Sequence, residues 1–312
     1  MKRYLSLALA LVLVIACSSI SVMASENAEN ITPDKSITYP DDGAVVIDAG
    51  TGDVVRFIPA SEINASRSGG ELTEPGNMPS TRQIIGTDDR FRVTTYTATP
   101  YRAIGRLQVW KGGPNYVNVS CAAFCDSAVI TAAHCVYNSS NNTLVNKNNV
   151  YMQFGFDNYN WYRYDPNVKP THYIIPSWYW NGNSAEDDWC IIMYDQSVTD
   201  WYFGFRSAVT LNSRIYNVTG YPQDKGKTPS DPNGGSQMWS AKGSITYADT
   251  YYLQHNMDTV GGNSGSAIYD DSNYIVGVHV GYPGGSNVNH GPRIDSYLYG
   301  IMREVKYGEY EY

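Results

Sequence analysis

The chain has 312 residues and a formal net charge of -8 at pH 7, and 42% of its residues are hydrophobic while 17% are charged. This apolar content supplies a folded core and excludes a wholly disordered chain. The excess of acids argues against nucleic-acid and anionic-membrane binders, which need a basic surface. The 27 tyrosines, together with abundant Gly, Asn, Ser and Thr, favour strands joined by many turns.

The N-terminal residues have the layout of a targeting segment. Lys2 and Arg3 precede an apolar run over residues 5–16, and small residues lead to Ala24. This order predicts a secretory signal peptide over residues 1–24, cleaved after Ala24. Lipid attachment at Cys17 is the alternative, and both interpretations export the protein. No later segment is apolar enough to predict a membrane span.

Four cysteines remain once the predicted signal peptide is removed: Cys121, Cys125, Cys135 and Cys190. An even number of cysteines in an exported chain predicts disulfides. A zinc site is the competing interpretation, but its only candidate cluster (Cys121, Cys125, His134 and Cys135) lacks a second close pair of ligands. We therefore expect no metal and no cofactor.

Residues 25–82 differ in composition from the rest of the chain, with ten acids, four bases, no Cys and no Trp. The Gly-, Ser- and Pro-rich residues 66–81 predict a flexible linker. Two interpretations stay open for 25–82: a disordered extension, or a propeptide that is removed after secretion. The short apolar run 44–48 predicts one strand, which would let this region dock.

Residues 83–312 contain all seven tryptophans, and short apolar or alternating runs are separated there by turn residues. Regular short strands of this kind predict an all-β sandwich or barrel. The predicted strands are 128–132, 150–156, 189–193, 213–218, 244–247 and 274–280. Leu298, Ile301, Met302 and Val305 fall at helical spacing and predict one C-terminal helix.

Three short motifs carry side chains suited to nucleophilic catalysis. Ser264 lies in a Gly-Asn-Ser-Gly turn, where the amides of Gly262 and Ser264 would stabilise an oxyanion. A serine hydroxyl needs a base, and a His held by a carboxylate is the usual one. His134 and Asp188 are the candidates for these two roles. Each motif alone also fits an ordinary loop or a structural histidine.

The three residues follow one another in the order His, Asp, Ser, which is the chain order of the chymotrypsin-type triad. The Thr-Ala-Ala-His-Cys block and the Gly-Asn-Ser-Gly-Ser block resemble those of trypsin-like serine proteases. The resemblance implies an all-β fold of two six-stranded antiparallel β-barrels with a C-terminal helix. The neighbouring Asp187 is the weaker candidate for the acid, because the resembling motif places the acid directly before a bulky apolar residue.

Within that group, residues 83–90, 257–264 and 276–279 resemble bacterial glutamyl endopeptidases. This resemblance implies cleavage after Glu, less readily after Asp, with Thr259 and His279 binding the substrate carboxylate. It also implies a mature N-terminus near Gln83. Because Gln83 follows Arg82, a separate protease that cuts after arginine is expected to activate the chain. A Cys121–Cys135 disulfide is implied too, whereas Cys125 and Cys190 are either bridged or buried thiols.

The sequence therefore predicts a signal peptide (1–24), a propeptide (25–82) and a serine protease domain (83–312). The expected partners are peptide or protein substrates and the activating protease, and the expected state is a monomer. Two other functions stay open: a protease with the same triad but another specificity, and a secreted binding module that has lost catalysis.

Overall fold

The structure, a computed structural model, describes residues 27–63, 83–182, 187–229, 231–281 and 287–308. The predicted signal peptide, the predicted linker and Arg82 lie outside these residues. Short antiparallel strands dominate the described part of the chain, as the composition predicts. The strands are β1 (Gly43–Asp48), β2 (Val54–Pro59), β3 (Phe91–Arg92), β4 (Ile104–Val109), β5 (Val117–Ala123), β6 (Ala128–Thr131), β7 (Tyr137–Asn138), β8 (Thr143–Leu144), β9 (Val150–Phe154), β10 (His172–Pro176), β11 (Cys190–Met193), β12 (Gly204–Phe205), β13 (Tyr216–Gly220), β14 (Trp239–Gly243), β15 (Ile245–Ala248), β16 (Tyr252–His255), β17 (Ala267–Asp270), β18 (Tyr274–Val278) and β19 (Asn289–Pro292).

Helices are few and short among the described residues. The α-helices are α1 (Ser177–Trp180) and α2 (Ser296–Tyr307), and 3-10 turns occur at Tyr101–Ala103, Ala133–Cys135 and Lys147–Asn149. The predicted C-terminal helix is confirmed as α2, because all four residues that predicted it are buried. Asp295 caps its N-terminus by accepting a hydrogen bond from the Leu298 amide at 2.7 Å. Gly308 ends it in the left-handed conformation.

The first sheet has eight strands in the order β2-β1-β10-β11-β6-β5-β4-β9. Six of them come from residues after 83 and match the predicted first barrel. The other two, β1 and β2, come from the region predicted as a propeptide. The predicted strand at 44–48 is thus present, and it lies inside the sheet rather than on its surface.

The second sheet has six strands in the order β12-β18-β17-β13-β14-β3, and β15-β16-β19 form a separate three-stranded sheet beside it. Among the described strands neither large sheet closes on itself, which differs from two closed six-stranded barrels. All six predicted strand segments contain a strand, although the one predicted at 213–218 begins only at Tyr216.

The described residues form two apolar clusters. The larger one fills the first sheet, extends to α2 through Tyr297, Leu298 and Ile301, and also includes residues of β17 and β18 in the second sheet. The smaller one joins the second sheet to the three-stranded sheet and has eight buried residues: Tyr216, Val218, Ala241, Ile245, Leu253, Met257, Ile268 and Val276. The candidate site lies between the sheets, where loops from both meet.

Candidate active site

Strand register brings His134 and Asp188 together. Strands β6 and β11 are antiparallel neighbours in which Thr131 faces Cys190. The chain continues three residues beyond Thr131 to His134, in the 3-10 turn Ala133–Cys135, and Asp188 lies two residues before Cys190. Adjacent ends of paired strands thus place the two side chains at the same edge of the sheet.

The geometry of this pair leaves the second ring nitrogen available. His134 Nδ1 lies 2.5 Å from Asp188 Oδ2, and the His134 amide donates to Asp188 Oδ1 at 2.8 Å. His134 Nε2 lies 2.6 Å from Ser264 Oγ. The side chain of His134 is 29% exposed, whereas that of Asp188 is 7% exposed. The carboxylate fixes the orientation of the imidazole, and the imidazole faces the hydroxyl.

The loop that carries Ser264 is held between the two sheets. The Ser120 amide of β5 donates to the Ser264 carbonyl at 2.9 Å, and the Gly265 amide donates to the His279 carbonyl at 2.8 Å. Gly265 has φ +82°, and a Cβ there would lie 2.2 Å from the Ser120 carbonyl oxygen. Only glycine permits both this conformation and this close approach. The turn thereby fixes Ser264 against the first sheet.

The same loop orients the amides of Gly262 and Ser264. The Gly261 carbonyl accepts a hydrogen bond from the Gln223 amide at 2.5 Å. Because C=O and N–H point in opposite directions in a trans peptide, the Gly262 N–H points away from Gln223. Among the described residues, neither the Gly262 amide nor the Ser264 amide donates a hydrogen bond. Both donors are thus available to a ligand.

A second polar cluster lies around Thr259, in the loop between β16 and β17, and His279, directly after β18. Both residues are fully buried, and the Thr259 hydroxyl oxygen has no hydrogen-bond partner among the described residues. His279 Nδ1 lies 3.2 Å from His255 Nε2. Burial lowers the pKa of His255 to about 3 and that of His290, on β19, to about 4. His255 and His290 are therefore neutral near pH 7.

Comparison with known proteins shows clear similarity to bacterial proteases. The chain is 32% identical over 269 residues to a glutamyl endopeptidase of Bacillus licheniformis, covering 80% of this chain and 78% of the relative. It is 30% identical over 228 residues to an extracellular metalloprotease of Bacillus subtilis, covering 68% of this chain and 66% of that relative. No protein-family model matches the chain.

The chain belongs to the glutamyl endopeptidase family. A solved structure of a Glu endopeptidase in complex with MPD matches it with a TM-score of 0.60 and 26% identity, covering 72% of this chain and all of that one. A protease of Arthrobacter nicotinovorans shares the fold with a TM-score of 0.52 at 20% identity. The protein is therefore a serine endopeptidase with a chymotrypsin-like fold.

Asp258 accepts two hydrogen bonds that its sequence position did not predict. Its carboxylate accepts hydrogen bonds from the amides of Ile85, at 2.6 Å, and Asp89, at 3.1 Å. Asn263, in contrast, uses its side-chain oxygen to accept the Val260 amide at 3.1 Å. Asp258 thus fastens the segment after Gln83 to the loop that contains Thr259.

Asn289 makes a second such connection. Its side-chain amide donates to the carbonyls of Gln83, at 2.9 Å, and Met257, at 2.8 Å. The Thr259 amide donates to the same Gln83 carbonyl at 3.3 Å. Gln83 therefore contacts both Thr259, which belongs to the polar cluster, and Asn289 on β19. Gln83 and Asn289 are 206 positions apart in the chain, so the sequence did not predict this contact.

The cysteines require a correction. The described residues contain no disulfide, so the predicted Cys121–Cys135 bond is not formed in the structure; of the two possibilities for Cys125 and Cys190, the structure has buried thiols rather than a second bridge. Cys121 lies in the interior of β5, and its sulfur is 3.5 Å from the Gly105 carbonyl oxygen on the neighbouring strand. Burial raises the pKa of the Cys121, Cys125 and Cys190 thiols. The apolar interior thus accommodates them as neutral thiols.

Two features are absent from the described ranges. No group of three or more His, Cys, Asp or Glu side chains is placed to hold a metal ion there. None of the helices in the same ranges is long and apolar enough to cross a membrane.

Proposed function

We propose that this serine endopeptidase cleaves peptide bonds with a triad of His134, Asp188 and Ser264. His134 Nε2 takes the proton from Ser264 Oγ as this oxygen attacks the substrate carbonyl. Asp188 holds the imidazole and stabilises the imidazolium that forms. The acyl-enzyme that results is then hydrolysed by water. The observation that supports this reaction best is the unbroken chain of contacts from Asp188 through His134 to Ser264.

The amides of Gly262 and Ser264 are the proposed oxyanion donors. As the hydroxyl oxygen attacks, negative charge develops on the carbonyl oxygen, and two preorganised N–H groups lower its free energy. The hydrogen bond from the Gln223 amide to the Gly261 carbonyl supports this assignment. It holds the peptide group between Gly261 and Gly262, and therefore the Gly262 N–H, in one orientation. His134 then returns its proton to the leaving amine.

The proposed substrates are peptides with Glu, and less readily Asp, before the scissile bond. Thr259 supplies a buried hydroxyl that has no hydrogen-bond partner among the described residues, and a buried polar group of this kind needs one. A substrate carboxylate would accept its hydrogen bond. The same anion would favour protonation of His279. The relatives named glutamyl endopeptidases support the assignment.

We propose that the chain is exported and then activated by one cleavage. Residues 1–24 direct the chain out of the cell, and an arginine-cutting protease cleaves between Arg82 and Gln83. The B. subtilis relative, which is named an extracellular protease, supports the export. N-terminal sequencing of the active secreted enzyme tests the cut; an active enzyme that still begins at Ser25 would contradict obligatory processing.

The decisive experiment is cleavage-site profiling of the processed enzyme on a mixed peptide library, with Ser264→Ala as the control. Cuts concentrated after Glu in the wild type and absent from the variant are the expected result. Cuts that depend on Ser264 but follow other residues would keep the triad and discard the Thr259–His279 pocket. No cuts by protein that begins near Gln83 would favour an inactive binding module.

A further inference from the structure

Strand β1 lies inside the first sheet, with β2 on one side and β10 on the other. It pairs with β10 over five residues, from Ala44 opposite Pro176 to Asp48 opposite His172. The side chains of Ala44, Val45, Val46 and Ile47 have no exposed area. A strand this deeply buried belongs to the core that it covers. Without it, β10 would become an open sheet edge beside exposed apolar side chains.

The hairpin formed by β1 and β2 is also fastened outside the ladder. The hydroxyl of Ser177 accepts from the Gly43 amide at 3.1 Å and donates to the Gly43 carbonyl at 2.9 Å. The buried hydroxyl of Tyr297 on α2 donates to the Ile58 carbonyl at 2.7 Å. These bonds tie both strands of the hairpin to residues after 83.

Residues 27–41 extend the attachment towards the loops around His134 and Asp188. The ammonium group of Lys35 lies 3.4 Å from the centroid of the Trp180 ring and 5.0 Å from that of Tyr137. It also donates a hydrogen bond to the Trp180 carbonyl. The Asn142 side chain donates to the Pro33 carbonyl at 2.8 Å. Tyr137 follows His134 in the chain, and Trp180 precedes Asp188, so one lysine connects two segments next to the candidate triad.

All of these contacts join residues before 64 to residues after 83. A cut anywhere between 64 and 82 therefore breaks none of them. We propose that residues 27–63 stay bound to the protease domain after the chain is cut, as a separate non-covalent chain that completes its first sheet. The proposal takes only the position of the cut from the processing proposed above. It does not depend on the specificity of the enzyme.

The test uses full-length Ser264→Ala protein, which removes self-digestion. Trypsin, which cuts after Arg and Lys, is used to nick the chain at Arg67 or Arg82, and intact mass under denaturing conditions selects samples cut only between 64 and 82. Size-exclusion chromatography in native buffer is then compared with the same column in urea. We expect the two pieces to co-elute one to one in native buffer and to separate in urea. Separate elution in native buffer would overturn the proposal.

Two matched variants show whether the buried strand causes retention. Val46→Asp places a charge at a fully buried position of β1, whereas Val55→Asp places the same charge on β2 at a position that is 52% exposed. We expect the nicked Val46→Asp protein to lose the small piece and the Val55→Asp protein to keep it. Equal behaviour of the two variants would contradict the proposed role of β1.

A gentler variant covers the case in which Val46→Asp does not fold. Lys35→Met keeps an unbranched side chain that is one atom shorter but removes the charge over the two rings. A cation–π contact of this kind corresponds to roughly a tenfold change in affinity. We therefore expect the small piece to dissociate about tenfold faster from nicked Lys35→Met protein, as measured by its exchange with labelled peptide 27–63. An unchanged rate would remove Lys35 from the attachment.

Discussion

The surroundings of His134 differ from those of three buried histidines: His255 on β16, His279 directly after β18, and His290 on β19. His134 is partly exposed, and a carboxylate and a hydroxyl contact its two ring nitrogens. His255, His279 and His290 are buried, and the rings of His255 and His279 contact each other, with Nε2 of His255 3.2 Å from Nδ1 of His279. The first environment suits proton transfer during a reaction, because the imidazolium would have a counter-ion. In the second environment, burial keeps His255 and His290 neutral near pH 7.

The strongest test of this contrast removes the counter-ion of His134. In Asp188→Asn protein the amide no longer stabilises an imidazolium, so kcat is expected to fall by about 10⁴-fold. The measurement is kcat on a Glu-containing peptide. The matched control is Asp187→Asn, which changes the adjacent acid in the same way and is expected to keep activity close to that of the wild type.

The reverse outcome, in which Asp187→Asn is inactive and Asp188→Asn is active, would move the acid to Asp187. Equal activity of both variants would remove the carboxylate from the proposed mechanism altogether.

The second test removes the proposed partner of the substrate anion. His279→Gln leaves the substrate carboxylate without a charged donor, and truncating one member of a buried charge pair weakens binding strongly. We expect kcat/KM for a Glu peptide to fall by about 100-fold, while that for the matching Gln peptide changes much less. The control is His172→Gln, a half-buried histidine on β10 that lies in the first sheet.

A parallel loss on the Glu and Gln peptides would contradict the pocket assignment, because it would indicate a general defect. If kcat/KM for the Glu peptide is unchanged in His279→Gln protein, other residues must recognise the carboxylate.

The third test concerns the pH dependence of stability. Burial lowers the pKa of His255 to about 3 and that of His290 to about 4, whereas an unfolded chain has a value of about 6.5. Between these values the unfolded state binds more protons, so stability is full above about pH 6.5 and falls as the pH drops towards 4. The expected slope is about 1.4 kcal/mol per pH unit for each histidine.

His290→Gln should therefore reduce the slope of the unfolding free energy against pH by the contribution of about one proton. Urea unfolding of the Ser264→Ala protein, with and without His290→Gln, from pH 7 to pH 4.5 measures the difference. Parallel curves would show that His290 does not titrate between the two states as proposed.

The candidate catalytic residues were easier to predict from the sequence than the hydrogen bonds that hold the surrounding loops. His134, Asp188 and Ser264 stand out because the proposed reaction demands those residue types, and each lies in a short recognisable motif. Asp258 was missed because an acid in a loop usually contacts solvent. Its partner, the Ile85 amide, lies 173 residues away in the chain. Contacts between a side chain and a distant backbone leave no pattern in the sequence.

The same reasoning explains why the strands β19 and β4 were not predicted. Strand β19, with the sequence Asn-His-Gly-Pro, is buried at all four positions but has no hydrophobic periodicity. In β4, buried Arg106 interrupts the apolar pattern and is compensated by Asp231 at 3.0 Å. β19 is a polar segment and β4 contains one buried charge, and the groups that compensate them come from elsewhere in the fold. Hydrophobic runs predict strands whose side chains alone decide burial, as in β6 and β11.

The smallest expected effect concerns the join between the N-terminal hairpin and α2. Tyr297→Phe removes the hydroxyl that donates to the Ile58 carbonyl at 2.7 Å and leaves that buried oxygen without this donor. Losing such a bond costs about 1–2 kcal/mol of unfolding free energy. Tyr299→Phe makes the same change on the same helix at a residue that is 38% exposed, where the cost should stay within about 0.5 kcal/mol. Urea unfolding of the full-length chain compares the two. A Tyr297→Phe variant as stable as Tyr299→Phe would mean that packing alone holds the hairpin to α2, and the retention of residues 27–63 would then depend on β1 and Lys35.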